Sequence, residues 1–343
     1  MTEHIIWEDN RLLLLDQRHL PFKKIYVTCK GLQDVTRAIK KMIIRGAPLI
    51  GVVAAYGLFL GLRERSQGSG RITESDVDRV YQALKATRPT AVNLTWALER
   101  MVNTYRQYKD SEDLLDFLEQ AAIAIHVEDV ENNRILSRYG SELIDDGDVI
   151  LTHCNAGSLA TGGYGTALGV IRAAHESGKQ IRVIATETRP YLQGARLTAW
   201  ELHEDGIDVE LVPDNHAGLL CWRGLVNKMI VGADRIAANG DVANKVGTYM
   251  LALAAHEHGI PFFVAAPRSS FDPAIKRGLQ IEIEERPGNE VLVMHGRRLT
   301  LEGVKGRYFA FDITPARLIT YIITENGVMD KPFGKSIRLL FSN

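Results

Sequence analysis

The second half of the chain alternates short apolar runs with helical segments, and this alternation constrains the fold more than any other feature. The runs are rich in β-branched residues and are predicted as strands: Asp148–Cys154, Gln180–Thr186, Ile207–Val212, Lys228–Gly232 and Ile260–Ala265. The segments between and after them are predicted as helices: Gly165–Glu176, Gly194–Glu204, His216–Val226 and Asn244–His258. Because each helix is long enough to cross back over a sheet, the pattern predicts an α/β fold with a doubly wound parallel sheet.

The first half has a different pattern. The stretches RLLLLDQ and KKIYVTCK predict a pair of strands. The segments with helical spacing are Leu32–Ile44, Pro48–Leu62, Glu74–Lys85, Asn93–Gln107 and Leu114–Tyr139. The tetrapeptide QGSG at Gln67–Gly70 is interpreted as a loop between helices. We therefore expect a mainly helical N-terminal domain with a small sheet over residues 1–130 and the α/β domain over residues 131–343.

Charge and composition narrow the classes of ligand. Lys plus Arg number 41 and Asp plus Glu number 42 in 343 residues, so the formal net charge is −1. This balance does not favour nucleic acid or an anionic membrane as a partner, and a small molecule is expected instead. The uncharged segment Gly46–Leu62 is glycine-rich and shorter than the roughly 20 residues of a membrane span, so it is interpreted as a buried helix.

The cysteines and the N-terminal residues indicate the cellular compartment that we expect for this protein. Cys29, Cys154 and Cys221 are odd in number, widely spaced and never in a C-x-x-C pair, as expected for reduced thiols in a cytoplasm. The start, MTEHIIWEDN, lacks the basic and apolar regions of a secretory signal. We therefore expect a cytoplasmic protein.

Common cofactor motifs are not found. The sequence has no G-x-G-x-x-G after the first predicted strand of the sheet, no G-x-x-x-x-G-K-[ST] and no H-E-x-x-H. His256 and His258 are two apart on a predicted helix and therefore point in different directions. The residues thus favour neither a dinucleotide, a nucleoside triphosphate nor a metal as cofactor.

The run THCNAGSLATGGYGTALG from Thr152 to Gly169 places a cysteine at the end of a predicted strand and a glycine-rich path into a helix. Backbone N–H groups and the positive end of the helix dipole are expected to face a ligand beside Cys154, where they also favour a thiolate. The alternative is that Cys154 is a small buried residue and the glycines form only a turn. His153 faces the opposite side of the strand and is a poor candidate for the base of the thiol.

Other polar residues follow the remaining strands. Asp234 ends an apolar strand at the same edge of the sheet, where partial desolvation raises a carboxyl pKa toward the range useful for proton transfer. The alternative is that Asp234 caps a turn or pairs with Arg235. Four residues fall at predicted loop-to-helix junctions, where anions bind, although each alone is typical of a surface position: Arg45, Arg88, Gln193 and Lys245.

Six blocks in chain order resemble the 5-methylthioribose-1-phosphate isomerases of methionine salvage. They are IRGAPLIG at Ile44–Gly51, RPTAVNL at Arg88–Leu94, LTHCNAGSLAT at Leu151–Thr161, YGTALGVIRAAHE at Tyr164–Glu176, ETRPYLQGARLTAWEL at Glu187–Leu202 and VGADRIAANGDVANKVGTY at Val231–Tyr249. The wider family also contains isomerases of 5-deoxyribose 1-phosphate and ribose 1,5-bisphosphate, and non-catalytic regulatory subunits of a eukaryotic translation-initiation exchange factor.

The resemblance implies a homodimer with a Rossmann-like C-terminal domain and neither metal nor nucleotide cofactor. At the matching positions, it implies that Cys154 and Asp234 are the catalytic pair. It assigns the following residues to binding of the sugar phosphate: Arg45, Gly46, Ala47, Arg88, Gln193, Asn244 and Lys245.

The resemblance also implies a reaction, the conversion of an aldose 1-phosphate to a ketose 1-phosphate. Because the phosphate ester locks the anomeric carbon, the ring does not open spontaneously. Asp234 is expected to protonate the ring oxygen and Cys154 to move a proton between carbons 2 and 1. A hydride shift from carbon 2 is the alternative route.

The chain departs from the family near its C-terminal end. It reads RYFAFDITP at Arg307–Pro315, where the family usually has NPAFDVTP, and the departure concerns the pocket for the substituent on carbon 5. The blocks supply one phosphate site, and Tyr164 suggests an apolar wall. We therefore expect 5-methylthioribose 1-phosphate and 5-deoxyribose 1-phosphate to be preferred over ribose 1,5-bisphosphate. The alternative is a second anion site built from Arg297, Arg298 and Arg307.

Overall fold

The computed structural model describes residues 2–294 and 296–342. The chain divides into two compact units. The first ends at Arg134 and also includes Gly157–Gly165, and the second consists of Ile135–Ala156 and the chain from Thr166 onward. The division falls within one long helix, Leu114–Ser141, which also contains the boundary expected at residue 130.

The first unit opens with an antiparallel sheet of order β1-β2-β3, formed by β1 (Ile5–Glu8), β2 (Arg11–Leu15) and β3 (Tyr26–Cys29). The predicted pair of strands is confirmed, since β2 pairs with β3, whereas β1 was not predicted. Asp9 and Asn10 join β1 to β2 with φ of 47° and 57°. This left-handed pair matches the twist of a tight hairpin, and Asp and Asn tolerate it well.

Helices make up the rest of the first unit. They are α1 (Leu32–Lys40), α2 (Ala47–Ser69), α3 (Glu74–Lys85), α4 (Val92–Tyr108) and α5 (Leu114–Ser141), whose last residues continue into the second unit. α3 begins where predicted because Thr73 and Asp76 form a reciprocal capping box. The predicted loop at Gln67–Gly70 is wrong: α2 continues to Ser69 and ends at Gly70, whose φ of 77° suits glycine.

Helix α2 is the core of the first unit. By length and composition it is apolar enough to cross a membrane, but most of that segment is buried inside the protein. Leu49, Val53, Ala54 and Ala55, which lie on different sides of the helix, have no exposed surface. A helix that is apolar all round needs cover on every side, and α1, α3 and α4 pack against it. The interpretation of this segment as a buried helix is confirmed.

The second unit contains the remaining strands and helices. The strands are β4 (Val149–Thr152), β5 (Arg182–Thr186), β6 (Asp208–Val212), β7 (Lys228–Val231), β8 (Arg235–Ala237), β9 (Val242–Lys245), β10 (Phe262–Ala265), β11 (Phe271–Asp272), β12 (Glu285–Arg286), β13 (Val293–Met294), β14 (Arg297–Arg298), β15 (Tyr308–Phe309), β16 (Phe311–Thr314), β17 (Tyr321–Thr324) and β18 (Gly327–Met329). The helices are α6 (Ala167–Glu176), α7 (Ala199–Glu204), α8 (Ala217–Trp222), α9 (Thr248–Glu257), α10 (Asn289–Leu292) and α11 (Phe333–Leu340).

The main sheet has the order β6-β5-β4-β7-β10-β17-β18 among the described residues, and every neighbouring pair except β17–β18 is parallel. Alternate residues of a strand enter opposite cores: Ile150 packs with α6 and α7, and Leu151 packs with α8 and α9. Burial on both faces explains the continuous apolar runs of the sequence. The predicted strands and parallel sheet are confirmed.

A second sheet of order β11-β8-β9-β16 carries residues that the sequence assigned to a helix. Asn244 and Lys245 were predicted at the start of the helix Asn244–His258, and this is wrong. They end β9, which pairs with β8 and β16, and α9 begins only at Thr248. Long-range pairing with β16 decides this, and β16 lies too far along the chain to be read from local periodicity.

A buried ionic cluster joins α6 to α7. Arg172 is 3% exposed and donates to Glu201 Oε2 at 2.8 Å and to Asp205 Oδ2 at 2.5 Å. The buried carboxylates keep the guanidinium charged and raise its pKa, although burial alone would lower it. Removing one partner of such a cluster leaves a charge that water cannot reach.

We expect Glu201→Ala to lower the free energy of unfolding by about 3 kcal/mol, because Arg172 keeps its buried charge and loses one of its carboxylates. Urea unfolding checks this value. Glu128→Ala, which removes the exposed partner of Arg100, is the control and should cost less than about 1 kcal/mol. Equal losses in the two variants would contradict the role of the cluster.

Candidate active site

Cys154 lies two residues beyond the end of β4 and is 9% exposed. Its backbone is strained, with a φ of 63° that non-glycine residues adopt uncommonly. Its N–H donates to Thr188 Oγ1 at 2.9 Å, and its carbonyl accepts from Thr198 Oγ1 at 2.5 Å. Both polar groups of the strained peptide are therefore satisfied, and the thiol position is fixed by its backbone.

The turn that contacts Cys154 is strained as well. Thr188 and Leu192 have φ of 62° and 57°, and a β-branched residue such as Thr188 adopts this conformation only when its surroundings enforce it. The carboxylate of Asp214 accepts the N–H groups of Thr188 and Arg189, both at 2.7 Å. Strain of this kind is typical of functional sites. Sequence reasoning missed the roles of Thr188 and Asp214.

The buried ionic cluster of Arg172, Glu201 and Asp205 is also linked to the peptide of Cys154 through hydrogen bonds. Asn155 donates to Glu201 Oε1 at 2.8 Å and to Thr198 Oγ1 at 3.2 Å, and Thr198 in turn donates to the carbonyl of Cys154. The chain of contacts runs from Arg172 through Glu201 to the peptide of Cys154. Folding of α6 against α7 therefore also positions the thiol.

Asp234 follows β7, the neighbour of β4. The register pairs Ile150 with Lys228 and Leu151 with Met229, so Cys154 and Asp234 both lie just beyond the carboxyl ends of two adjacent parallel strands. Neighbouring strands of a sheet are about 4.8 Å apart. The two loops touch, because a Cβ at Gly232 would lie only 2.7 Å from the Cβ of Ala156. The strand order reverses between β4 and β7, which is where open α/β sheets bind ligands.

Asp234 itself is half-buried, and its N–H donates to the carbonyl of Ala243 at 2.9 Å. The neighbouring Arg235 forms an ion pair with Asp272 at 3.6 Å. The predicted position of Asp234, at the edge of the sheet that carries Cys154, is confirmed by the strand register.

His153 has a structural role, as the sequence suggested. Its Nε2 donates to the carbonyl of Val246 at 3.0 Å, so Nδ1 accepts from Thr186 Oγ1 at 2.6 Å. Burial lowers the pKa of the imidazole, which favours the neutral ring. His153 therefore connects β4, β5 and the residue that follows β9.

Helix α6, which follows Cys154, contributes fewer free N–H groups to a ligand site than the sequence predicted. The N–H groups of Thr166 and Leu168, at the start of α6, both donate to the carbonyl of Ala156, at 2.9 and 3.2 Å. They are not directed at a ligand. The prediction that these amides face a ligand beside the thiol is wrong, because the chain returns closely on itself between Ala156 and Thr166.

Three further candidate residues lie in the second unit. Gln193 is 7% exposed, and its buried Oε1 has no hydrogen-bond partner within residues 2–294 and 296–342. Asn244 donates to Thr248 Oγ1 at 3.1 Å. Lys245 is buried, donates to the carbonyl of Ala310 at 2.9 Å and lies over the ring of Phe311. A buried, unsatisfied amide and a buried ammonium are typical of a polar binding site.

Asp312 holds the loop between Lys245 and α9. Its carboxylate accepts the N–H groups of Gly247 at 2.7 Å and of Tyr249 at 3.1 Å. Gly247 has a φ of 107°, which favours glycine. Burial raises the pKa of Asp312 to about 6, against the effect of the two N–H donors and of Lys245.

The other candidate residues lie in the first unit. Gly46 precedes α2 with a φ of 111°, and a Cβ there would lie 2.4 Å from the carbonyl oxygen of Ala160. Only glycine fits this position. Ala47 is buried at the start of α2, Arg45 is partly exposed, and Arg88 is partly exposed in the loop between α3 and α4.

The glycine-rich path Gly157–Gly165 also belongs to the first unit, where side chains of α5 hold it. Asp129 accepts the N–H of Gly162 at 2.6 Å, and His126 donates to the carbonyl of Gly162 at 3.0 Å. The buried ring of Tyr164 lies 4.8 Å from the guanidinium of Arg134. The path is therefore a fixed loop rather than a simple turn.

Within the described ranges, no group of three or more His, Cys, Asp or Glu residues could hold a metal ion.

The raised pKa of Asp312 predicts a pH dependence of stability. Because the folded-state pKa of about 6 exceeds the ordinary 3.8, the stabilisation by this group is fully present below about pH 4 and is lost as the pH rises through about 6. Between pH 5 and pH 7, the wild type should lose about 1 kcal/mol more stability than Asp312→Asn.

Urea unfolding of the wild type and Asp312→Asn at pH 5, 6 and 7 measures this difference. Asp330→Asn, which changes an exposed carboxylate, is the matched control. Parallel curves for the wild type and Asp312→Asn would show that Asp312 does not titrate in this range.

The chain is similar to known proteins over most of its length. Residues 43–331 match the initiation factor 2 subunit family. The methylthioribose-1-phosphate isomerase of Thermotoga maritima is 56% identical over 337 residues, which cover 98% of this chain and 97% of that protein.

Solved structures give the same result. The 5-methylthioribose 1-phosphate isomerase of Pyrococcus horikoshii is 44% identical with a TM-score of 0.90, over 99% of this chain and 96% of that one. A protein of A. fulgidus described as translation initiation factor eIF-2B, subunit delta, is 44% identical with a TM-score of 0.84, over 97% of each chain. The chain therefore belongs to the initiation factor 2 subunit family, as a member similar over nearly its whole length to the methylthioribose-1-phosphate isomerases.

Proposed function

We propose that this protein is a sugar-phosphate isomerase of methionine salvage, which converts 5-methylthioribose 1-phosphate to 5-methylthioribulose 1-phosphate. The observation that carries the proposal is the position of Cys154 and Asp234 just beyond the adjacent strands β4 and β7. Similarity to the isomerases over 98% of the chain supports the same reaction. A non-catalytic subunit has no need for a strained cysteine beside a carboxylate, so the site favours the enzyme.

The chemistry begins with ring opening. The anomeric carbon carries the phosphate ester, so the ring opens only if its oxygen is protonated as the bond breaks. Asp234 is half-buried just beyond β7, at the edge of the sheet that carries Cys154. Asp234 acts as the general acid toward the ring oxygen.

Cys154 then transfers a proton from carbon 2 to carbon 1 through an enediol phosphate. The carboxylate of Asp234, which gave its proton to the ring oxygen, takes up the proton of the hydroxyl on carbon 2 as that group becomes the ketone. Its backbone is held on both sides by Thr188 and Thr198, so the thiol keeps one position while the sugar changes shape. A hydride shift between the two carbons is the alternative, with Cys154 then shielding the reacting carbons from water.

Binding of the sugar phosphate is assigned by resemblance to the residues named above. In the second unit, Gln193 contributes a buried amide oxygen, Asn244 contributes an amide and Lys245 contributes an ammonium group. Charge-assisted contacts of this kind hold a phosphate ester firmly.

The substituent on carbon 5 is inferred from the arginines of the C-terminal stretch. Arg298 is exposed and donates to the backbone carbonyls of Thr300, Leu301 and Val304. Arg307 is exposed and forms an ion pair with Glu285. Since these cations already have partners, they do not favour a second phosphate, and a methylthio or methyl group fits better.

We also propose a Rossmann-like class for the second unit, a homodimer and a cytoplasmic location. The order β6-β5-β4-β7-β10-β17 supports the class. Apolar residues on the adjoining helices α8 and α9 support self-association, since Trp222 is 72% and Met250 50% exposed. The three cysteines are free thiols, which supports a reducing compartment. Neither metal nor nucleotide cofactor is part of the proposal.

We expect Cys154→Ser and Asp234→Asn each to lower kcat at least about a hundredfold, because each removes a group that moves a proton. Coupled assay of the ketose product measures the loss, and melting temperatures show whether each variant is folded. Turnover of the wild type in D₂O should place deuterium at carbon 1 if Cys154 exchanges its proton with water. A folded Cys154→Ser with normal turnover would contradict the assignment.

The wild type should turn over 5-methylthioribose 1-phosphate and 5-deoxyribose 1-phosphate with at least about tenfold higher kcat/KM than ribose 1,5-bisphosphate, because a second phosphate lacks a cationic partner. Side-by-side assay of the three sugars measures this ratio. Arg298→Ala serves as a control and should leave it unchanged. A preference for the bisphosphate would contradict the choice of substrate but leave the reaction type intact.

A further inference from the structure

Gln17 lies two residues beyond the end of β2 and is 2% exposed. Its backbone N–H donates to the carbonyl of Ile43 at 2.9 Å, and its side-chain Nε2 donates to the carbonyl of Leu159 at 2.7 Å. One buried residue therefore connects two segments of the first unit that are distant in sequence. The reaction proposed above assigns no role to Gln17.

The first of these segments is the turn between α1 and α2. Met42 has a φ of 52° there, and the N–H of Ile43 donates to the carbonyl of Ala38 at 2.9 Å. Because Gln17 donates to the carbonyl of Ile43, both backbone polar groups of this residue are paired. The chain therefore leaves the turn in a fixed direction, and Arg45 follows two residues later.

The second segment is the glycine-rich path Gly157–Gly165, which touches the start of α2. A Cβ added at Gly46 would lie 2.4 Å from the carbonyl oxygen of Ala160 and 2.5 Å from its Cα, so the two backbones are in direct contact. Leu159 precedes Ala160 and is 1% exposed. Since Gln17 holds the carbonyl of Leu159, its amide fixes the path where it meets Gly46.

Other side chains hold the following part of the path. His4 donates from Nε2 to the carbonyl of Thr161 at 2.8 Å. Asp129 and His126 bond to the backbone of Gly162, as described above. These contacts remain when Gln17 is replaced, so such a change alters the local spacing between the path and α2 and leaves the loop anchored.

We propose that Gln17 is a positioning residue for binding of the substrate phosphate. By bonding to both Ile43 and Leu159, it sets the position of the segment Arg45–Ala47 against the glycine-rich path. The inference rests on the proposed function, in which this segment contacts the sugar phosphate. The groups that Gln17 positions are the guanidinium of Arg45 and the N–H groups at the start of α2.

The expected effect is on affinity rather than on turnover. Charge-assisted hydrogen bonds to a phosphate depend on direction, so a displaced guanidinium or amide binds more weakly. The phosphate ester stays intact throughout the isomerisation, and its contacts are the same in the ground state and the transition state. Loss of such uniform binding raises KM and leaves kcat unchanged.

Gln17→Met tests the proposal because it removes the donor to Leu159 and keeps a side chain of similar length. We expect KM for 5-methylthioribose 1-phosphate to rise about tenfold, with kcat within about twofold of the wild type. The Kd of inorganic phosphate, measured by phosphorus NMR titration, should rise by a similar factor. If Gln17→Met does not fold, Gln17→Asn, whose amide is too short to reach Leu159, provides the same measurements.

Tyr105→Phe is the matched control. Tyr105 is 2% exposed in the same unit, and its hydroxyl donates to a backbone carbonyl, that of Ile72 at 3.5 Å. This variant should lower the melting temperature and change neither KM nor the Kd of phosphate.

The two measurements separate this inference from the proposed function. A wild type that binds inorganic phosphate but turns over none of the sugars would overturn the proposed function, and the phosphate Kd of Gln17→Met would still decide the role of Gln17. A folded Gln17→Met with unchanged KM and phosphate Kd would overturn the positioning role and leave Gln17 as a structural residue. A fall in kcat without a rise in KM would overturn it as well.

Discussion

The site of the second unit depends on the strained peptide at Cys154. Its left-handed backbone would relax if either side were released, and two separate sets of contacts prevent this. Thr188, itself strained and held by Asp214, accepts the N–H, and Thr198, linked through Asn155 to Glu201, donates to the carbonyl. The thiol position is thus determined by contacts from two strand ends and from a buried ionic cluster.

The sheet determines which groups meet at this peptide. Because β4 and β7 are neighbours and parallel, their carboxyl ends bring Cys154 and Asp234 to one edge, although 80 residues separate them in sequence. The second sheet adds Lys245 through β9, where Phe311 of β16 lies opposite it and the carbonyl of Ala310 accepts from its ammonium. Asp312, also on β16, holds the loop that follows Lys245 by accepting the N–H groups of Gly247 and Tyr249.

Local sequence patterns were sufficient to predict most of the strands and helices. Short runs of apolar and β-branched residues predicted β4, β5, β6, β7 and β10 within two residues of their observed starts and ends, and the capping box at Thr73 placed the start of α3. Periodicity failed where long-range pairing decided the structure: Asn244 and Lys245 form a strand because β8 and β16 flank it. It also failed for the amides at the start of α6, which bond back to Ala156.

The sequence by itself determined the α/β class, the helical N-terminal unit, the edge of the sheet that carries the site, and, through its motifs, the family. These follow from periodicity and residue type, which are local properties of the chain. The tertiary structure decided the strain at Cys154, the use of Asp214 and Glu201 as supports, and the neutral structural role of His153. Each of these depends on groups distant in sequence, and only the folded sheet brings them within hydrogen-bonding or electrostatic range.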